Sequence, residues 1–222
     1  LNAGVHHYEE IDSTQRVARE LADGGAPHGT VVRAEAQTAG RGRRGRVWAA
    51  EPGRNLLLSI VLRPPVPLRE APLLTLGAAA GLAEVFDVRV KWPNDLVDGD
   101  GRKLGGLLGE LEARGDRVDY VILGLGLNVN QVEFPDLPGA TSLARLAGGP
   151  VDREEAFELA VRAMLAWSGH PDRLTLWRRR AHTLGRRVRV GGLEGVATGL
   201  RDDGALLVDG HPVHTGELDG AG

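Results

Sequence analysis

Residues that could do chemistry crowd into one stretch, Gln37-Thr38-Ala39-Gly40-Arg41-Gly42-Arg43-Arg44-Gly45-Arg46-Val47-Trp48. Guanidinium is a planar, permanently charged fork that fits carboxylate and phosphate oxygens two at a time. The interleaved glycines let the backbone come close to a ligand. Two further sets follow. Lys91-Trp92-Pro93-Asn94-Asp95 offers a cation, an aromatic ring, an amide and a carboxylate together. Lys103, the only lysine after Lys91, precedes Gly105-Gly106, where missing side chains would let a ligand or another backbone lie against a sheet. Gly124-Leu125-Gly126-Leu127-Asn128-Val129-Asn130 adds two glycines and two amides in an apolar run. Positive charge on flexible backbone suits a reaction that joins two anions, such as a carboxylate attacking a phosphate. Their repulsion is the main barrier to contact, and Arg, Lys and Mg²⁺ offset it.

Other chemistries are excluded. Gly40, Gly42 and Gly45 fit G-x-G-x-x-G, but Ala49-Ala50-Glu51-Pro52-Gly53 reads as more loop, where a dinucleotide fold would open a helix. No His-Arg-Asp or Asp-Phe-Gly follows, so the kinase pattern fails too. There is no Walker A loop and no Ser-x-x-Lys or Gly-x-Ser-x-Gly nucleophile motif. The chain has no cysteine, which removes disulfides, thiolate catalysis and Cys-based zinc sites. His6-His7 and the pair His211 and His214 lack the spacing of a closed metal site. A disordered Arg-Gly segment that touches RNA remains an alternative, although the formal net charge of −3 is unlike that of a generic nucleic-acid binder. No run approaches a membrane span and the first residues resemble no signal peptide, so a cytoplasmic protein without membrane contact is expected.

Elements that could position these residues are legible. Strands are expected over 5–8, 30–37, 55–62, 88–92, 103–111 and 118–124, the last running on to residue 130. The arginine stretch therefore joins two strands. Thr14, Val17, Ala18 and Leu21 predict a helix ending near Gly24-Gly25, with Asp12 or Ser13 as its N-cap. A buried helix over 73–86 carries Gly77 and Gly81, expected to pack closely on the sheet. Amphipathic helices are expected over 154–167 and 174–182, with Arg178, Arg179 and Arg180 on a solvated face. Short runs with glycine turns begin at Gly185. The fold class is thus α+β: a mixed, mostly antiparallel sheet with helices on one face. A small β-barrel follows, giving a catalytic domain over 1–183 and a C-terminal SH3-like module over 184–222.

Taken in order, Asp12-Ser13-Thr14, Gly40 to Gly45, Lys91 to Asp95, Arg102-Lys103-Leu104-Gly105-Gly106 and Gly124 to Asn130 resemble the biotin protein ligases across nearly the whole chain. The resemblance implies the class II synthetase-like fold of biotin and lipoate ligases. It also implies synthesis of biotinyl-5′-AMP from biotin and ATP, then transfer of biotin to one lysine of a carrier domain in acetyl-CoA carboxylase or another biotin-dependent carboxylase. By motif, Ser13, Thr14, Gln15 and Gln37 would hold the biotin rings, against the open strand at Gly105 and Gly106. Arg41, Gly42 and Arg43 would close over biotin and the phosphates. Lys103 would sit at the biotin carboxylate and α-phosphate. Lys91, Asn94 and Asp95 would serve ATP and Mg²⁺, the ion near Asp95. Arg46, Trp48 and Asn128 would contact the nucleotide. The family commonly has Asn at the position of Gln15. Members that repress transcription carry an N-terminal helix-turn-helix. This chain starts almost directly at the catalytic motif, so no DNA binding is expected. The family suggests a homodimer built from edge strands. A lipoate ligase of the same fold class is the nearest alternative; the arginine loop and Lys-Trp-Pro-Asn-Asp favour biotin.

Overall fold

The structure is a computed structural model and describes residues 4–135, 137–216 and 218. The chain runs β1 (Val5–Ile11), α1 (Thr14–Asp23), β2 (Val31–Gln37), β3 (Leu56–Leu62), α2 (Ala71–Val85), β4 (Arg89–Lys91), β5 (Asp95–Val97), β6 (Lys103–Arg114) and β7 (Arg117–Leu127). Then come α3 (Leu143–Ala147), α4 (Arg153–Ser168), α5 (Arg173–Arg180), β8 (Arg187–Val190), β9 (Leu193–Leu200), β10 (Leu206–Val208) and β11 (His211–Val213). The first seven strands form one sheet in the order β1-β2-β3-β7-β6-β5-β4. Only β1 and β2 pair in parallel; the other neighbours are antiparallel. The last four strands form a second, antiparallel sheet.

β3 reads Leu-Leu-Leu-Ser-Ile-Val-Leu and is buried along its whole length. A strand buried on both faces needs no polar alternation. One face, with Leu56, Leu58, Ile60 and Leu62, packs into the main core under α2 and α4. The other meets α1, where Val61, Ile122, Tyr120 and Val32 pack on Val17, Ala18 and Ala22. Helices expected on one face therefore occupy both, with α1 alone on the second. The sequence hides this because a short amphipathic helix does not say which face it will cover.

The glycines of α2 serve a different contact from the one expected. A Cβ on Gly77 would stand 2.3 Å from the Trp167 carbonyl oxygen, and one on Gly81 would stand 2.6 Å from Trp167 Cδ1. They admit α4, not the sheet. Arg178 and Arg179 of α5 are exposed, as expected, but all three arginines also have partners. Arg178 Nη2 donates to the Leu200 carbonyl at 2.8 Å, Arg179 Nη2 to Glu84 at 2.8 Å, and Arg180 Nη1 to Asp87 at 2.7 Å. They fasten α5 to the end of α2 and to β9.

The second sheet shares the core: Val188, Val190, Leu206 and Val208 join the cluster under α2. Trp92 ties the two sheets together. Its ring is buried, its Nε1 donates to the Gly204 carbonyl at 3.2 Å, and its backbone N–H donates to Thr183 Oγ1 at 2.8 Å.

Alanine normally gains ~0.5–1 kcal/mol over glycine inside a helix. At residue 81 the added methyl overlaps the Trp167 ring, and overpacking of this kind costs ~1–3 kcal/mol. Gly81→Ala should therefore lower the thermal midpoint by several degrees, while Gly99→Ala, whose Cβ meets open space, should leave it unchanged. A melt of Gly81→Ala at or above the wild-type midpoint would remove the close α2–α4 contact.

Candidate functional site

The face of the sheet that carries α1 is bare where the strands run beneath residues 41–48. Two rows of register neighbours cross it. One row is Asp95, Gly106, Gly126 and Leu57; the next is Leu108, Gly124, Ser59 and Val32. Because side chains alternate across a strand, β7 sends Leu123, Leu125 and Leu127 into the core and turns Gly124 and Gly126 to this face. The result is a trough floored by backbone.

One wall is the start of α1. Ser13 occupies the N-cap position, but its side chain caps nothing. The first helical N–H, from Thr14, donates to Gln37 Oε1 at 2.6 Å, so a strand residue does the capping. Ser13 Oγ is left buried without a partner and lines the trough. Asp12 accepts the Ser13 N–H at 2.7 Å and also hydrogen-bonds Arg16, which holds its carboxyl below the usual range.

The opposite end holds Lys103. Its Nζ donates to Asp95 Oδ1 at 2.9 Å and stands 5.7 Å from the centroid of the Trp48 ring. Asn94 Nδ2 donates to the Leu107 carbonyl at 2.6 Å, which fixes that turn on β6. Asn128 is buried and donates from Nδ2 to the Thr141 carbonyl at 3.0 Å.

The arginine loop is folded over the trough. Trp48 N–H donates to the Gly40 carbonyl at 3.0 Å and Gly42 N–H to the Arg46 carbonyl at 2.7 Å. A short 3₁₀ turn at Arg43–Gly45 reverses the chain, with Arg44 at φ 55. Trp48 lies on Gly126, where any Cβ would be 2.4 Å from its Cε2. Its Nε1 is buried without a hydrogen-bond partner. Arg41 Nη1 reaches Glu110 Oε1 at 3.0 Å, and Arg43 Nη1 donates to Asn94 Oδ1 at 3.0 Å and to the Gly216 carbonyl at 3.3 Å. The far end of the loop is braced from behind. Arg153 Nη1 donates to the Gly53 carbonyl at 2.7 Å while its Nη2 holds Glu35. Burial alone would raise Glu35, but hydrogen bonds from Arg153 and His7 carry its carboxyl below the usual range.

The sequence marks sixteen positions for this chemistry, and the structure separates them. Ser13, Thr14, Gln15 and Gln37 line the cavity with Arg41, Gly42, Arg43, Arg46 and Trp48. So do Asn94, Asp95, Lys103, Gly106 and Asn128. Gly105 does not: a Cβ there would meet Leu127 Cδ1 at 3.1 Å, on the core side. Lys91 also stays outside, on edge strand β4 opposite Asp95. Residues that sequence reasoning missed are Ser59, buried under Thr14 and Gln15, Glu110, the partner of Arg41, and Phe134, which brings an aromatic wall from the loop after β7. The serine in an otherwise apolar β3 was the available signal for the first. Nothing in the local sequence marks the other two.

Among the described residues no helix is long and apolar enough to cross a membrane, and no group of three or more His, Asp or Glu is placed to hold a metal ion.

The model of the biotin/lipoate A/B protein ligase family matches residues 8–128. The bifunctional ligase/repressor BirA of Bacillus subtilis is 40% identical over 91% of this chain and 68% of its own length. The biotin–[acetyl-CoA-carboxylase] ligase of Mycobacterium tuberculosis is 37% identical over 85% of this chain and 76% of its own. The structure of the Aquifex aeolicus biotin protein ligase in complex with biotin and ATP superposes with a TM-score of 0.78 at 29% identity, covering 97% of both chains. Motif order, trough and fold agree, and the chain belongs to the biotin/lipoate A/B protein ligase family.

Proposed function

We propose that this protein is an ATP-dependent biotin protein ligase. It forms biotinyl-5′-AMP from biotin and ATP and then passes biotin to a lysine of the carrier domain of acetyl-CoA carboxylase. The observation that carries this reading is a single trough in which a polar helix start, an arginine loop and Lys103 face one another across bare backbone. A carboxylic acid can lie there with its polar head toward α1 and its carboxylate toward Lys103.

In the first half-reaction a biotin carboxylate oxygen attacks the α-phosphorus and pyrophosphate leaves. In the second, the acceptor lysine's amine attacks the acyl carbon and AMP leaves. Both steps build negative charge beside Lys103, whose ammonium lies over bare Gly106 and can exchange its Asp95 contact for that charge. Arg43 reaches Asn94 at the same end of the trough, Arg41 is held at Glu110 on the side of α1, and Arg46, Trp48 and Asn128 border the nucleotide side. The orphaned Trp48 N–H and Ser13 hydroxyl are polar groups that a ligand would satisfy. Mg²⁺ fits as a companion of the triphosphate: the amide and carboxylate of Asn94 and Asp95 are too few for a protein-only cage, and Mg²⁺ favours one or two carboxylates with substrate phosphates and water. When bound, it would neutralise phosphate charge. Lys91 lies outside the cavity, on edge strand β4 opposite Asp95.

The reading is tested by mixing the protein with ATP, Mg²⁺, biotin and a carrier domain and weighing the carrier. The expected result is the mass gain of one biotin, absent without ATP; an unmodified carrier, or equal modification with lipoate, overturns it. Lys103→Ala should cut biotin-dependent pyrophosphate exchange by about 10²–10³-fold, the usual cost of losing a group that stabilises developing charge. Near-normal exchange would take Lys103 out of the reaction. Arg43→Gly should speed loss of preformed adenylate by about ten- to a hundredfold, read from the dissociation rate, since one charge-assisted contact is worth ~1.5–3 kcal/mol. An unaltered rate would deny the loop its retaining role.

A further inference from the structure

We propose that Ser59 is a positioning residue that sets the direction of the hydrogen bonds on the floor of the trough, acting through Thr14 and Gln15. The inference rests on the biotin ligase reading above and adds a residue to it. Ser59 is the only polar residue of β3, and it is fully buried at the edge of an apolar cluster. A hydroxyl at such a site costs free energy unless it is hydrogen-bonded. Ser59 Oγ lies 2.9 Å from Gln15 Oε1 and 2.9 Å from Thr14 Oγ1.

One hydroxyl has one hydrogen, so the two contacts cannot both be donated by Ser59. Gln15 Oε1 is an acceptor only. The alternative amide orientation would turn Oε1 toward the Leu108 carbonyl oxygen, where Gln15 Nε2 now donates at 3.4 Å, and would oppose two acceptors. Ser59 therefore donates to Gln15, and Thr14 donates to Ser59. The chain of hydroxyls runs one way, Thr14 to Ser59 to Gln15.

The consequence is a fixed pattern at the floor. With its hydrogen directed at Ser59, Thr14 Oγ1 presents lone pairs to a ligand. With its oxygen held by Ser59, Gln15 presents Nε2–H. The backbone makes room for this: Gly124 is the register neighbour of Ser59, and a Cβ there would be 2.7 Å from Gln15 Oε1. Gln37 is oriented in the same manner, its Oε1 held by the Thr14 N–H. An acceptor beside a donor matches a cyclic urea, which carries N–H beside C=O. It does not match a purely aliphatic or dithiolane tail.

The test is a double-mutant cycle on biotin-dependent pyrophosphate release, with Ser59→Ala, Gln15→Met and the pair. Ser59→Ala should raise the KM for biotin about tenfold with kcat and the KM for ATP near wild type. Gln15→Met should do the same, and the double variant should be less impaired than the product of the two single effects, because one of the two partners through which Ser59 acts is already lost. Three results overturn the proposal: an unchanged biotin KM in Ser59→Ala, effects that multiply in the double variant, or a Ser59→Ala protein that fails to fold or shifts both KM values together, which marks the residue as merely structural. A wild-type protein that releases no pyrophosphate with biotin would instead overturn the ligase reading.

Discussion

Everything at the site depends on a sheet that is packed on one face and stripped on the other. β7 meets this by alternating leucine with glycine. Leu123, Leu125 and Leu127 fill the core under α2 and α4, and Gly124 and Gly126 leave the other face without side chains. Strand alternation has a period of two, so a slip of one residue would put the leucines in the trough and holes in the core. The two requirements therefore fix the register together. Once it is fixed, Trp48 can lie on Gly126, Gln15 can lie over Gly124, and Lys103 with Asp95 can stand beside Gly106.

The cations around this bare strip are already partnered. Arg41 holds Glu110, Arg43 holds Asn94, and Lys103 holds Asp95. Arg41 is half exposed, and exposed ion pairs are worth only ~0–1 kcal/mol. A charge-assisted hydrogen bond to an enclosed anion is worth more, ~1.5–3 kcal/mol. An incoming carboxylate or phosphate therefore exchanges with weak protein acceptors and does not have to order free side chains. The paired state keeps the loop folded; the difference in strength makes it exchangeable.

The sequence discloses the fold class, most of the elements and most of the trough, because glycine, arginine and lysine report their uses locally; the short elements β5, α3 and β11 are not among those expected. Its failures have physical causes. Gly105 and Gly106 are neighbours in a strand and must face opposite sides, so only one could serve the ligand; alternation, applied at that point, would have separated them. Lys91 pairs in register with Asp95 yet lies on the edge strand and is not among the residues that line the cavity. The glycines of α2 looked like contacts to the sheet because nothing local says that Trp167, far along the chain, will need their space. Glu110 and Phe134 are brought in by tertiary folding alone.

The Lys-Trp-Pro-Asn-Asp turn shows why a module with no residue in the trough still bears on it. None of the lining residues comes from β8–β11. Yet Trp92 points inward and is held by Thr183 and Gly204, while Asn94 and Asp95, two and three residues on, point outward to Arg43 and Lys103. A turn this short cannot move at one end and stay still at the other. The Gly216 carbonyl, which accepts from Arg43, closes the same circuit from the far side. The C-terminal sheet therefore sets where the reacting end of the trough stands, through the backbone of one turn and the guanidinium of one arginine.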